Sequence, residues 1–313
     1  MLGKTAGGLF WMFRYLERSE NTARLIDAGF RIALTRPDGA DDEWASVLQT
    51  AGVADLYRSR HDELDAARVI DFLLRDTSNP SSVMSAIAAA RQNARLVRTA
   101  ITREVWEAVN DTYMILKQAL ARPVAPRNLP GSLAMIRQQS ALVRGALHGT
   151  MLRNDVFDFC RIGTYLERAD NTARILDVKY YVLLPSISQI GSSLDNVQWE
   201  TILRSVAGQR AYRWISGGES SPIGIADFLL FDGRMPRSLR FSVGKIATNL
   251  SYLEREYDHR HHCHDLVEAL SGRLNQTTIE HVFEEGLHEF IVDFLADLGQ
   301  LGAQIDRDYR FQG

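Results

Sequence analysis

The chain is short of cysteine, of long apolar runs and of nucleotide-loop motifs, and each shortage removes a class of protein. Two cysteines in 313 residues, Cys160 and Cys263, cannot staple a disulfide framework, so the fold rests on a buried core and suits a reducing compartment. Nowhere do about 18 uncharged apolar residues follow one another, as a membrane-spanning helix requires. The N-terminus carries one lysine and no apolar stretch of signal-peptide length. A cytoplasmic protein without membrane association is the expectation. A net charge of −3, with both signs mixed along the chain, offers no basic face for nucleic acid. No Gly-x-x-x-x-Gly-Lys-Ser/Thr loop, strand-linked Gly-x-Gly-x-x-Gly or Gly-x-Ser-x-Gly elbow occurs, so neither an ATP site nor a hydrolase nucleophile is expected, and no cofactor is implied.

What is present is a repeat. Tyr15-Leu-Glu-Arg-Ser-Glu-Asn-Thr-Ala-Arg-Leu-Ile-Asp27 returns as Tyr165-Leu-Glu-Arg-Ala-Asp-Asn-Thr-Ala-Arg-Ile-Leu-Asp177, with nine positions identical and four conservatively changed. Trp44-Ala-Ser-Val-Leu48 returns as Trp199-Glu-Thr-Ile-Leu203, Asp71-Phe-Leu-Leu-Arg-Asp76 as Asp227-Phe-Leu-Leu-Phe-Asp232, and Pro80-Ser-Ser82 as Pro236-Arg-Ser238. The offset drifts from 150 to 156, as two copies with a few loop insertions would give and a short-period solenoid would not. Two homologous halves are expected, 1–145 and 146–313, packed as one compact domain.

Apolar residues recur every three or four positions and alternation is scarce, so the chain reads as an all-α bundle of about ten or more helices in two pseudo-symmetric halves. Long helical stretches are expected over Val83–Leu120, Gly131–Leu152, Ser238–Tyr257 and Ile279–Tyr309. Breaks are expected at Arg36-Pro-Asp-Gly39, Thr77-Ser-Asn-Pro80, Arg122-Pro-Val-Ala-Pro126, Leu129-Pro-Gly131, Ser216–Pro222 and Arg234-Met-Pro236. Ser81 or Ser82 and Ser132 are candidate N-caps.

At about 100° per residue, Glu17, Glu20, Arg24 and Asp27 share one sector of the repeated helix, with Asn21 at its edge. Glu20–Arg24 and Asp170–Arg174 are i,i+4 pairs in the favourable order, which a solvated ion-pair stripe would equally explain. Arg18 projects about 100° away from Glu17, among Trp11, Tyr15, Leu25 and Ile26, and Arg168 repeats this. A guanidinium in an apolar sector needs a carboxylate or carbonyls, and the duplicated Asp71 and Asp227 are the expected partners. Two readings stay open: buried Arg–Asp pins that set helix register, or a shared cleft in which Glu17, Arg18, Glu167 and Arg168 meet a ligand. The candidate binding residues are Glu17, Arg18, Asn21, Arg24, Asp71 and their counterparts Glu167, Arg168, Asn171, Arg174 and Asp227.

His259, His261, His262, Cys263, His264 and Asp265 form a potential metal tract, but only i,i+4 pairs within it could chelate, and a solvated helix end is the expected reading. No metal is assigned. The Glu-x-x-His signature of di-iron bundles is missing from the repeated helices. His288 is expected to be a hydrogen-bonded histidine, and Trp44 and Trp199 to be buried in their bundle rather than exposed as interface anchors.

The motif Tyr-Leu-Glu-Arg-x-Glu/Asp-Asn-Thr-Ala-Arg resembles the bacterial alpha-E family, helical proteins with a Glu-Arg motif. Asn79-Pro80-x-Ser82, Glu104-Val-Trp-Glu-Ala-Val-Asn110, Arg153 through Asp177, Pro236-Arg-Ser238 and Gly286-Leu-His-Glu-Phe290 extend the likeness along the chain. Met235 departs from it, standing where the first half has Asn79. The resemblance implies association with a circularly permuted ATP-grasp protein and a transglutaminase-like protease, in a system that makes and trims amide bonds. It transfers the motif to Glu17-Arg18 and Glu167-Arg168 without assigning them a role. Two functions follow as alternatives: a helical partner or substrate-binding component that holds an amino-acid- or peptide-like ligand, or a free-standing enzyme using the Glu-Arg cleft for acid–base or acyl-transfer chemistry.

Overall fold

The computed structural model describes residues 1–35, 40–182, 193–218 and 221–312. Fifteen α-helices follow one another, and no strand occurs among the described residues. The first seven are α1 (Gly3–Thr35), α2 (Ala40–Thr50), α3 (Ala54–Arg58), α4 (Ala66–Leu74), α5 (Val83–Leu96), α6 (Arg103–Ala119) and α7 (Leu129–Thr150). The rest are α8 (Asp155–Val182), α9 (Ser193–Ser205), α10 (Gln209–Ile215), α11 (Pro222–Phe231), α12 (Leu239–Tyr257), α13 (His262–Gln276), α14 (Ile279–Glu285) and α15 (Leu287–Asp308).

The two repeated segments lie in α1 and α8, and these helices pack against each other at the centre. Around α1 stand α5 and α7, with α6 behind them, and around α8 stand α12 and α15, with α13 behind. Both central helices are apolar on several faces, which is why they sit inside. Leu9, Phe10, Met12, Phe13, Leu16, Ala23 and Ile26 of α1 and Phe159, Cys160, Ile162, Leu166, Ala169 and Leu176 of α8 are all buried in one continuous core. Trp44 and Trp199 are buried in it as well. No helix among the described residues is long and apolar enough to cross a membrane.

Several local expectations hold and several are corrected. Ser82 and Ser238 cap α5 and α12, accepting from the amides of Ser85 and Phe241. The stretch Val83–Leu120 is two helices: α5 ends with Val97 as its C-cap, and Thr102 starts α6 by accepting from Val105 N. The stretch Ile279–Tyr309 is likewise divided, at Gly286, whose φ of 112° suits glycine. Leu129-Pro-Gly131 is not a break: Pro130 occupies the first turn of α7, where its missing N–H costs nothing, and Ser132 lies inside the helix rather than capping it. The predicted break at 36–39 lies outside the described residues.

The closest approach of the central helices is made by a residue without a side chain. A β-carbon on Gly163 would stand 2.2 Å from the carbonyl oxygen of Phe10, so any larger residue forces α1 and α8 apart. Gly163→Ala should cost about 1–3 kcal/mol as an overpacked contact. Gly145→Ala, on the open face of α7 where nothing lies within 4 Å, should instead stabilise by about 0.5–1 kcal/mol. Urea denaturation of the two variants gives both values, and equal midpoints would contradict this account of the crossing.

Candidate functional site

Where α1 crosses α8, each Glu-Arg pair reaches for the other. Arg18 donates to Glu167 in a fork, Nε to Oε1 at 2.6 Å and Nη2 to Oε2 at 3.0 Å. Arg168 donates to Glu17 in the same way, with both distances 2.9 Å. Each arginine also lies over the tyrosine one turn before it, Arg18 over Tyr15 at 5.6 Å and Arg168 over Tyr165 at 5.1 Å from the ring centroid. The Tyr-x-x-Arg spacing of the repeat therefore sets the guanidinium between an aromatic face and the opposite helix.

This corrects the partners expected from sequence. Asp71 lies against Arg75 of its own helix, with Oδ1 2.6 Å from Nε in an ion contact, and Asp227 is exposed on α11. Arg18 and Arg168 pair with glutamates because α1 and α8 face each other directly, which places the aspartates of α4 and α11 on other surfaces. The solvated-stripe reading also fails for Glu20, which is 1% exposed.

The two ends of the crossing differ. On one side Glu17 and Glu20 meet four guanidiniums, those of Arg24, Arg144, Arg168 and Arg237. Arg237 Nη2 lies 3.1 Å from Glu17 and 2.9 Å from Glu20, while its Nη1 donates to Asn21 Oδ1 at 2.8 Å. On the other side Glu167 and Asp170 meet three: Arg14 at 2.9 Å, Arg18, and Arg174 at 2.8 Å. These counts are of the described residues. Arg144 and Arg237 were missed from sequence, though one signal was there: Pro236-Arg-Ser238 breaks the repeat, since the first copy has Ser81.

Burial tends to raise the Glu17 carboxyl, but Arg168, Arg237 and Arg144 overcome it and hold the group well below the usual carboxylate range. Burial acts likewise on Glu167, and Arg14 and Arg18 keep it low. Arg237, wholly enclosed, is pushed down to about 10 by burial, against the pull of Glu17 and with the help of Arg168 and Arg24. Carboxylates so firmly ionised do not serve as proton donors near neutral pH.

Beside the three-guanidinium side lies a cavity of about 220 Å³, lined by Arg18, Asn21, Thr22, Leu25, the Thr50–Gly52 turn, Ser81, Glu167, Asp170, Asn171 and Arg174. It gathers five of the ten residues picked out in sequence, Arg18, Asn21, Glu167, Asn171 and Arg174, while Glu17, Arg24, Arg168, Asp71 and Asp227 do not line it. Asn21 is 2% exposed and its Nδ2 has no hydrogen-bond partner. The Asn171 amide makes no side-chain hydrogen bond among the described residues, and the Arg174 side chain remains 41% exposed.

The histidine tract is built differently from expectation. His264 is buried; it accepts from His261 N at Nδ1 (3.0 Å) and donates from Nε2 to the Leu250 carbonyl (3.1 Å), so it ties the start of α13 to α12 rather than standing in solvent. Among the described residues no three His, Cys, Asp or Glu side chains are gathered for a metal. His288 is hydrogen-bonded, with Nδ1 2.5 Å from Asp177 Oδ1. Asn79 holds a local turn, donating to the Phe72 carbonyl and accepting from Ser81 N, and in the second copy Ser238 Oγ donates to the Asp232 carbonyl instead.

One further group escaped sequence reading. Asp158, in the first turn of α8, is 5% exposed, and its carboxyl makes no hydrogen bond or ion pair among the described residues. It lines a separate cleft of about 570 Å³ with Arg153, Phe157, Tyr252 and Arg255. Burial, and then the charge of Asp155, push it up to about 7.

Comparison with known proteins agrees with the motif. A model of the Alpha-E family, described as a predicted alpha-helical domain with a conserved ER motif, matches residues 1–309. An uncharacterized protein of Mycobacterium bovis and one of Mycobacterium tuberculosis are each 22% identical over 312 residues, covering 93% of this chain and 34% of the relative. The chain thus spans about a third of the length of the curated relatives it matches. No solved structure matches it.

Two stability predictions follow from these charges. Glu17→Gln leaves Arg168 and Arg237 without their shared carboxylate and should cost about 3–5 kcal/mol at neutral pH. The lowered Glu17 pKa means that its contribution is complete above about 4.5 and erodes as pH falls below it, so the gap between wild type and variant should narrow in acid. Asp158 has the opposite sign: its pKa is raised from 3.8 to about 7, so its contribution is lost as pH rises through that range. Asp158→Asn should melt close to wild type near pH 4 and increasingly above it towards about pH 8. Calorimetry across pH checks both, and a pH-independent difference would contradict the assigned environments.

Proposed function

We propose that this chain, which belongs to the Alpha-E family, is a binding component that holds an amino-acid- or peptide-like ligand in the cavity beside the α1–α8 crossing, as the helical partner of an ATP-grasp protein in an amide-bond-forming system. The observation that carries the reading is a polar cavity lined by Arg18, Asn171 and Arg174, in which the Asn171 amide makes no side-chain hydrogen bond among the described residues. A ligand carboxylate or amide carbonyl would give the Asn171 amide N–H an acceptor. Arg18 and Arg174 are already in ion pairs, but their outer N–H groups border the cavity and favour the same acceptor. Asn171 and the carboxylates of Glu167 and Asp170 complement an amino or amide N–H.

The cross-paired Glu17 and Arg168 then act as positioning residues that hold the ligand-facing wall. Binding is favoured over catalysis because Glu17 and Glu167 are ionised and engaged by guanidiniums, and both cysteines are buried with their thiols pushed up by burial. The ATP-grasp and transglutaminase-like partners rest on the family resemblance. The greater length of the mycobacterial relatives fits a helical unit that works beside other segments.

Titration calorimetry with single amino acids and glycine-containing dipeptides tests the site. Asn171→Ala and Arg174→Ala should each weaken a bound probe about tenfold or more, equivalent to about 1.4 kcal/mol, with little change in melting temperature. Affinity unchanged in both variants would overturn the assignment. For the partner, tagged chain purified from its native host should retain a stoichiometric ATP-grasp protein, and recovery of the chain alone would count against the association.

A further inference from the structure

The cavity has a filled counterpart on the same molecule. Around α1, Glu17, Glu20, Asn21 and Arg24 enclose the guanidinium of Arg237, which touches Glu17, Glu20 and Asn21. The matching residues of the second copy of the repeat are Glu167, Asp170, Asn171 and Arg174, and all four line the cavity. Arg237 stands in Pro236-Arg-Ser238, and the first copy has Ser81 at that place, in Pro80-Ser-Ser82. Ser81 lies in the wall of the same cavity. The space beside Glu167, Asp170 and Asn171 is therefore where the long side chain of the other copy has been replaced by a hydroxymethyl group.

Charge and hydrogen bonding agree with this correspondence. The filled side has four guanidiniums for two carboxylates, and the cavity side has three for two among the described residues. One added guanidinium would make the two sides equal. Asn21 spends its oxygen on Arg237, whereas the amide of its counterpart Asn171 has no side-chain partner among the described residues. The filled side establishes that this arrangement of carboxylates and amide holds a fourth guanidinium in the presence of three others. A volume of about 220 Å³ has room for an arginine-sized group.

We propose that the ligand presents a guanidinium group, as free arginine or an arginine side chain of a peptide, and that this group sits against Asp170, Asn171 and Glu167 in the place left open by Ser81. The inference rests on the cavity being the binding site proposed above and names what that site selects. A guanidinium is preferred to a compact ammonium because its planar fork can donate to a carboxylate and to the Asn171 oxygen at once, as Arg237 does on the other side. The acceptor group of an arginine-like ligand is left to face Arg18 and Arg174.

The test uses the full chain and calorimetry with four probes: L-arginine, the capped tripeptide acetyl-Gly-Arg-Gly-amide, L-citrulline and L-glutamate. L-citrulline keeps the shape of arginine but replaces the cation with a neutral urea. Arginine or the capped peptide should bind at least tenfold more tightly than citrulline, and whichever of the two binds better identifies the source of the group. Ser81→Arg, which supplies the side chain from the protein itself, should abolish that binding while the melting temperature is kept or raised. Asp170→Asn, which removes one carboxylate, should weaken it about tenfold or more, and this variant serves if Ser81→Arg fails to fold. Equal binding of citrulline and arginine, or arginine binding unaffected by both variants, would overturn the proposal. Binding of glutamate alone, lost in Ser81→Arg, would overturn the guanidinium assignment while leaving the cavity as the ligand site. Absence of binding by all four probes, with no response from the wider amino-acid and dipeptide panel, would overturn both.

Discussion

The structure depends on the exchange of two Glu–Arg forks between α1 and α8. Ion pairs of this kind bring little net stability, because taking two charges out of water costs about as much as their attraction returns. Their force lies in the penalty for misplacement. Breaking the forks would leave Glu17, Glu167 and Arg168 in the interior without the opposite charge they now meet. The same face of α8 carries Gly163 one turn before Glu167, and its missing β-carbon lets the Phe10 carbonyl approach. Close contact and paired charge therefore define one register together.

A buried polar layer at the centre of a helical bundle imposes demands on what surrounds it. Glu17 and Glu20 remain ionised in the interior only because arginines arrive from three other elements: Arg144 from α7, Arg168 from α8 and Arg237 from the turn before α12. Arg237 in turn needs Asn21 and both glutamates to offset its own burial. The layer thus ties the helices around α1 to those around α8. On the other side of the crossing Glu167 and Asp170 meet three guanidiniums among the described residues, and the cavity lies beside them.

Much of the fold was legible in the chain. The three-to-four periodicity marks the helices, Ser82 and Ser238 mark two starts, and the repeated polar segment marks the pair of helices that cross at the centre. Two helix boundaries were misread for local reasons, whereas the partners Asp71 and Asp227 were misread for a tertiary one. The stretch Val83–Leu120 has an unbroken helical period, yet α5 ends at Val97 and Thr102 caps a new helix. Leu129-Pro-Gly131 has the composition of a break, yet proline in a first turn is compatible with helix.

By itself the sequence determined the all-α class, the faces of the repeated helices and the fact that Arg18 and Arg168 needed partners, because each follows from the 3.6-residue period and the cost of an unpaired buried charge. It did not determine who those partners are. Arg18 and Glu167 are 149 residues apart and Arg237 and Glu20 are 217 apart, and only the crossing of α1 and α8 and the approach of the turn before α12 decide which side chains meet. The cavity was likewise a tertiary result, since the exchange of Arg237 for Ser81 becomes an empty space only when the two copies of the motif are brought against each other.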